Sequence, residues 1–200
     1  DISSLNILKA SNNQLLSLPL DLPLLKELSV LSLKHNDLTE LPKIPPNLKT
    51  LDLSHNYIQK ISSDLPNNLQ TLYLDDNMIE NIPSDLRLND LKELSIRNNR
   101  FEKFPSLKNL PTLQILDLGY NKIESIPQKI ITHETLSHLN LEYNTLSKLS
   151  DDLLKMKSLY ILRVDYNDIE SVPEDLLKSG ILNLTGNPLP QDIRNQAEKY

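Results

Sequence analysis

Several things are scarce in this chain, and each scarcity excludes something. There is no cysteine in 200 residues. A disulfide framework is therefore excluded, as are a thiol nucleophile and thiolate metal ligands. Tryptophan is absent and aromatics make up 4% of the chain, so any core must be aliphatic. Positive charge is in deficit: 21 lysines and arginines against 27 acids leave a formal net charge of −6. A nucleic-acid platform should be basic, so no nucleic-acid partner is expected. No apolar run reaches the roughly eighteen residues of a membrane-spanning helix, and no membrane span is expected. Neither G-x-x-x-x-G-K-[ST] nor G-x-G-x-x-G occurs, so no phosphate cradle and no nucleotide cofactor are implied. The chain starts at Asp1 without a visible signal peptide.

What is present is leucine in a fixed pattern, L-x-x-L-x-L-x-x-N-x-L. One copy runs Leu28, Leu31, Leu33, Asn36, Leu38; another runs Leu113, Leu116, Leu118, Asn121, Ile123. The asparagines fall at Asn13, Asn36, Asn56, Asn77, Asn99, Asn121, Asn144, Asn167 and Asn187, with spacings of 20 to 23 residues. This period and signature resemble the leucine-rich-repeat family over about residues 2–190. The resemblance implies an α/β solenoid, a horseshoe of about nine coils. A parallel β-sheet would line its concave face, extended and 3-10 returns its convex face, and a short C-terminal helix would cap it. Pairs such as Leu18-Pro19, Leu41-Pro42, Ile82-Pro83, Phe104-Pro105, Ile126-Pro127 and Val172-Pro173 resemble the intracellular subclass of Ras-pathway scaffold and Ras-suppressor proteins. The stretch from Pro45 to Leu53, echoed at Pro66 to Leu69, resembles the shorter repeats of bacterial effectors. Secreted members usually carry cysteine-rich end caps. A cysteine-free chain is expected in the cytoplasm, although the sequon at Asn183 to Thr185 leaves a secreted recognition protein as an alternative.

Within residues 113–135, strict alternation predicts a short strand. Leu116 and Leu118 should point inward, and Ile115, Asp117 and Gly119 outward. Asn121 should turn the chain, its amide satisfying backbone groups of the turn, with like asparagines stacking in a ladder. Pro127 should open an extended return. Residues 151–157, with an acidic start, read as a helical turn in the return of the seventh coil.

Two segments are expected: the solenoid at 1–190 and a capping helix at 191–200, with Leu189, Ile193, Ala197 and Tyr200 at helical spacing. Ile2 stands three residues before Leu5, as Leu25 does before Leu28. It resembles the tail of a repeat whose beginning is missing, and the chain is expected to be the C-terminal part of a longer protein. Were a catalytic domain to lie outside this segment, the repeats would be its regulatory part.

Binding should sit on outward positions near the strands. Before each turn asparagine stand Asn12, His35, His55, Asp76, Asn98, Tyr120, Tyr143, Tyr166 and Gly186. Tyrosine supplies contact area and a hydrogen bond at small entropic cost. The expected partner site is Tyr73, Asp75, Asp117, Tyr120, Glu142, Tyr143, Arg163, Asp165 and Tyr166, with a gap at Gly119 for a partner side chain. The bland reading of the tyrosines is a packing ladder along the sheet. The expected function is a protein-binding adaptor, a monomer that holds a protein partner on its concave face.

Tests for chemistry find little. His35, His55 and Asp76 share one column and are metal-ligand types, but parallel side chains about 4.8 Å apart are not programmed to converge. No metal, no other cofactor and no catalytic residue is expected. Ser137 and His138, the nearest hydroxyl and imidazole, should point to opposite faces of a strand.

Overall fold

A computed structural model of the chain describes residues 2–197. Nine parallel strands form one sheet in sequence order: β1 Ile7–Lys9, β2 Val30–Ser32, β3 Thr50–Asp52, β4 Thr71–Tyr73, β5 Glu93–Ser95, β6 Ile115–Asp117, β7 His138–Asn140, β8 Ile161–Arg163 and β9 Leu182–Asn183. Register is uniform: Leu8, Leu31, Leu51, Leu72, Leu94, Leu116, Leu139, Leu162 and Leu182 stand side by side across the sheet. Each strand with the return that follows it makes one coil, numbered with its strand. The horseshoe expected from the repeat is the fold observed.

The strands hold two or three residues each, because only the L-x-L segment alternates. In the inner coils its inward leucines lose contact with water: Leu116 and Leu118 are 0% exposed, while Ile115 is 38% exposed, and only at the two ends are Leu8 and Leu182 half-buried. No single coil encloses its leucines, so the stack supplies the burial. The turn asparagines bind the coils together. Asn121 donates from Nδ2 to the carbonyls of Leu118 and Gly119 in its own coil and of Ile96 in the coil before, and its Oδ1 accepts from Phe101 N–H. Asn144 and Asn167 repeat this arrangement. The ladder read from the sequence is thus a hydrogen-bonded stitch between successive coils.

The returns carry short 3-10 turns at Leu22–Leu24, Gln128–Thr132 and Asp151–Lys155, and one α-helical turn, α1, at Glu174–Leu177. The helical turn expected over residues 151–157 ends at Lys155, and Ser150 Oγ caps it by accepting from Asp152 N–H at 3.2 Å. A helical turn is about twice as wide as the ~4.8 Å spacing of hydrogen-bonded strands. The return side therefore takes the outer arc and the sheet the inner one.

At the C-terminal end, α2 spans Gln191–Ala197, with Ile193 and Ala197 packed on the core and Arg194 Nε donating to the Leu189 carbonyl at 2.8 Å. Tyr200, the last residue of the expected cap, lies outside the described residues. At the other end the first coil leaves Ile2, Leu16 and Leu20 in the open. No helix among the described residues is long and apolar enough to cross a membrane.

Candidate functional site

The backbone fixes the site through one conformational rule. Asn12, His35, His55, Asp76, Asn98, Tyr120, Tyr143, Tyr166 and Gly186 all have positive φ, from 51° to 75°. A left-handed residue is what bends the chain out of each strand toward the turn asparagine. Asparagine, aspartate, histidine and glycine tolerate this conformation, while a bulky side chain in it is uncommon. The column read as an outward row near the strands is therefore a row of corner residues just past them. Sequence reasoning missed this, although the run of Asn, His and Asp in one phase was the available signal.

The three tyrosines in that column form a continuous stack. The Tyr120 and Tyr143 rings lie 4.2 Å apart at 22°, and Tyr143 and Tyr166 lie 4.4 Å apart at 10°. The Arg97 guanidinium sits 4.4 Å from the Tyr120 ring centroid, on the side of the preceding coil. The Tyr166 ring lies so close over Gly186 that a Cβ there would overlap it. From Arg97 to Gly186, then, the ring faces are occupied, and what remains open are ring edges and hydroxyls. Each ring is nonetheless about two-fifths exposed or more. Partial burial, with hydrogen bonding and repulsion from the Tyr120 and Tyr166 hydroxyls, pushes the Tyr143 hydroxyl up to about 12.

Beside the stack runs an alternating row of charges, Asp117, Arg97, Glu142, Arg163 and Asp165. Arg97 pairs with Glu142 and approaches Asp117 Oδ2 at 3.7 Å. Arg163 reaches Glu142 Oε2 at 2.8 Å and Asp165 Oδ2 at 3.7 Å. Two expectations are corrected here. Glu142 and Asp165 were expected at outward positions of the partner site, yet they are only 7% and 4% exposed, because the two arginines lie across them. Gly119 was expected to leave a gap, but Arg97 fills it: a Cβ at Gly119 would stand 2.9 Å from Arg97 Nη1. Arg97 was not among the expected site residues, since only the cross-coil register reveals that its side chain spans two coils. Burial raises the Asp165 pKa, against hydrogen bonds from backbone N–H groups and the attraction of Arg163.

A third region lies on coils three to five. Tyr73 is bracketed by carboxylates: burial, a hydrogen bond with Glu93 and repulsion from Glu93, Asp52 and Asp75 push it up to about 12. Asp75 Oδ1 accepts from Ser95 Oγ at 2.5 Å and from Arg97 N–H at 2.9 Å. Burial raises the Asp75 pKa in spite of these bonds, and Asp117 and Asp76 add to the rise. Asp76 takes His55 Nε2 at 3.3 Å and Asn98 Nδ2 at 2.5 Å. The expected residues thus fall into two groups on one surface: Tyr73 and Asp75 on one part, and Asp117, Tyr120, Glu142, Tyr143, Arg163, Asp165 and Tyr166 on the other.

The His35, His55 and Asp76 column does not assemble a ligand set. The two imidazoles stack face to face, 4.0 Å apart at 12°, which keeps their nitrogens parallel. Among the described residues no three His, Cys, Asp or Glu side chains are placed to hold a metal ion. The reading of Ser137 and His138 is corrected: Ser137 Oγ lies 2.8 Å from His138 Nδ1, so the two meet and do not diverge. Ser137 also donates to the Gln114 carbonyl at 3.1 Å, and the His138 ring leans toward Tyr160.

Comparison with known proteins agrees with this architecture. A leucine-rich-repeat family model matches residues 111–169, and a second, describing two copies of the repeat, matches 46–89, 67–109 and 89–129. No curated protein matches the chain. Among solved structures, a leucine-rich-repeat protein of Leptospira interrogans superposes with a TM-score of 0.90 at 31% identity, over 99% of this chain and 53% of its own. YopM from Yersinia enterocolitica superposes with a TM-score of 0.67 at 30% identity, over 88% of this chain and 36% of its own. A chain of the Drosophila Toll–Spätzle complex gives a TM-score of 0.79 at 25% identity, over 94% of this chain and 28% of its own. This chain therefore spans about half the length of the Leptospira protein and less of the others.

Proposed function

Because the chain belongs to the leucine-rich-repeat family, whose domains are generally protein-interaction modules, we propose that it holds a protein partner on its concave face, with the Tyr120–Tyr143–Tyr166 stack as the centre of contact. One observation carries this reading. Three bulky residues occupy consecutive left-handed corners where asparagine or glycine would be less strained. Each keeps a large part of its ring open to solvent. Bulky rings held at strained, exposed corners offer a contact area that asparagine or glycine there would not.

The stack also suits the role. Its rings are held by Arg97 on one end and Gly186 on the other, so little side-chain entropy remains to be lost on binding. The flanking Asp117, Glu142, Arg163 and Asp165, with Tyr73 and Asp75 two coils away, complete the proposed surface. An adaptor or scaffold role in signalling, near the Ras-suppressor-like subclass, is supported by the Leu-Pro pairs of the returns. A cytoplasmic location is supported by the cysteine-free composition.

The test is capture with the purified chain as bait, followed by mass spectrometry, beside a second bait carrying Tyr120→Ala and Tyr143→Ala. Partners that bind the first bait and not the second are expected. If every captured protein binds both baits equally, the tyrosine stack is not the contact surface.

A further inference from the structure

We propose that the partner segment taken by this concave face is basic and extended: a strand-like stretch of protein whose lysine or arginine side chains meet the carboxylates between Asp52 and Asp165. This rests on the concave face being the binding surface and names the chemistry that the face selects.

Three observations lead there. Charge is distributed unevenly over the face. Along coils three to eight it carries Asp52, Asp75, Asp76, Glu93, Asp117, Glu142 and Asp165, against Arg97 and Arg163 within the strand segments and Lys49 and Lys92 just before β3 and β5. Seven carboxylates less these four cations leave three negative charges there. Moreover, both arginines are committed to Asp117, Glu142 and Asp165. Among the described residues, Asp52, Asp75, Asp76 and Glu93 form no ion pair with lysine or arginine. Their donors are neutral or weakly basic: Ser54 N–H on Asp52, Ser95 Oγ on Asp75, Asn98 and His55 on Asp76, and Tyr73 on Glu93.

The second observation is independent of the cluster's charge. Asp165 is 4% exposed, and its Oδ2 takes no hydrogen bond. The nearest cation, Arg163 Nε, stands 3.7 Å away, because the Arg163 guanidinium is drawn to Glu142 Oε2 at 2.8 Å. A buried carboxylate oxygen without a donor is a costly arrangement in a folded chain. It is relieved when a partner cation joins Arg163 at this end of the row.

The third observation fixes where cations go. The tyrosine faces, the usual alternative seat for a cation, are already filled by Arg97, by one another and by Gly186. Incoming cations are left with the carboxylates, while the tyrosine edges and hydroxyls face the partner's backbone. Six strands from coil three to coil eight cover roughly 24 Å at about 4.8 Å each. About seven residues of extended chain match that span.

The probe is a fluorescent seven-residue peptide alternating Lys and Ser, with Glu–Ser and Gln–Ser counterparts, followed by fluorescence anisotropy. The Lys–Ser peptide should bind and the others should not, and binding should weaken as salt rises. Two variants of equal net charge decide the site. Asp75→Asn with Asp165→Asn removes two charges from the face; Glu124→Gln with Glu170→Gln removes two exposed charges away from it. The first should weaken binding about tenfold or more, the second less than about twofold. Equal losses in both variants, or equal binding of all three peptides, would overturn the proposal. Urea melts of both variants confirm that each is folded. An acidic partner captured through Tyr120 and Tyr143 would overturn this inference and leave the proposed binding face standing.

Discussion

Replacing Tyr120 with alanine separates two roles that an outward tyrosine can have. An exposed side chain with no neighbours changes stability by less than about 0.5 kcal/mol when truncated. Tyr120 has two neighbours on its faces. The Tyr143 ring at 4.2 Å makes an aromatic stack, worth about 0.5–1.5 kcal/mol beyond area. The Arg97 guanidinium at 4.4 Å adds a cation–π contact of about 0.5–1 kcal/mol. Together they predict a loss of about 1–2.5 kcal/mol for Tyr120→Ala. Tyr120→Phe keeps both faces and should stay within about 0.5 kcal/mol of the parent. Tyr120 has a φ of 54°, and phenylalanine carries the same bulk at that corner, so backbone strain cancels between Tyr120→Phe and the parent. The assay is the shift in urea midpoint at constant slope, with Leu116→Ala as a core reference at about 2–5 kcal/mol. A double-mutant cycle with Arg97→Met should show a coupling of about 0.5–1 kcal/mol. Additive effects in the cycle, together with a Tyr120→Ala melt that matches the parent, would refute the stack as a stabilising device. The tyrosines would then act on binding alone.

Other outcomes follow from the same geometry. Asn121→Ala should lower stability by about 2–5 kcal/mol, because it strands the buried Phe101 N–H and the carbonyls of Ile96 and Leu118, and a urea melt near the parent's would count against the asparagine stitch. For Asp165 the folded pKa is raised, so its contribution to stability is fully present below the ordinary carboxylate range and is lost as pH rises through the folded value. Asp165→Asn should therefore gain on the parent as pH rises from acid to neutral in paired urea melts, and a gain confined to acid would contradict the burial argument. Removing residues 191–200 should uncover Leu184 and Leu189, lowering the melting temperature or causing association; an unchanged monomer with an unchanged melt would show that α2 is no cap. Alkaline absorbance titration should find two tyrosines ionising near 12, one lost in Tyr73→Phe and the other in Tyr143→Phe.

The fold was legible because its cause is local and repeated. A leucine at the same phase in nine coils can be buried in only one way, and Leu31, Leu51 and Leu72 stand side by side as their spacing requires. The asparagine stitch was legible for the same reason, since each amide serves its own turn and the coil before. Two features were harder to read. The left-handed corner leaves only a compositional trace, a preference for Asn, His and Asp that the three tyrosines conceal. The contacts between outward side chains depend on length and direction as well as phase. Gly119 and Arg97 are neighbours in one column of the repeat, yet whether the glycine is a hole or a seat turns on where the arginine points. The register places Arg97 next to coil six; only its extended side chain carries it over Tyr120 to Glu142 on coil seven. That one reach turns an apparent opening into a closed junction between the charge row and the tyrosine stack. It also leaves the carboxylates of coils three to five without an arginine, which is why the open negative charge of the face lies there and not beside the tyrosines.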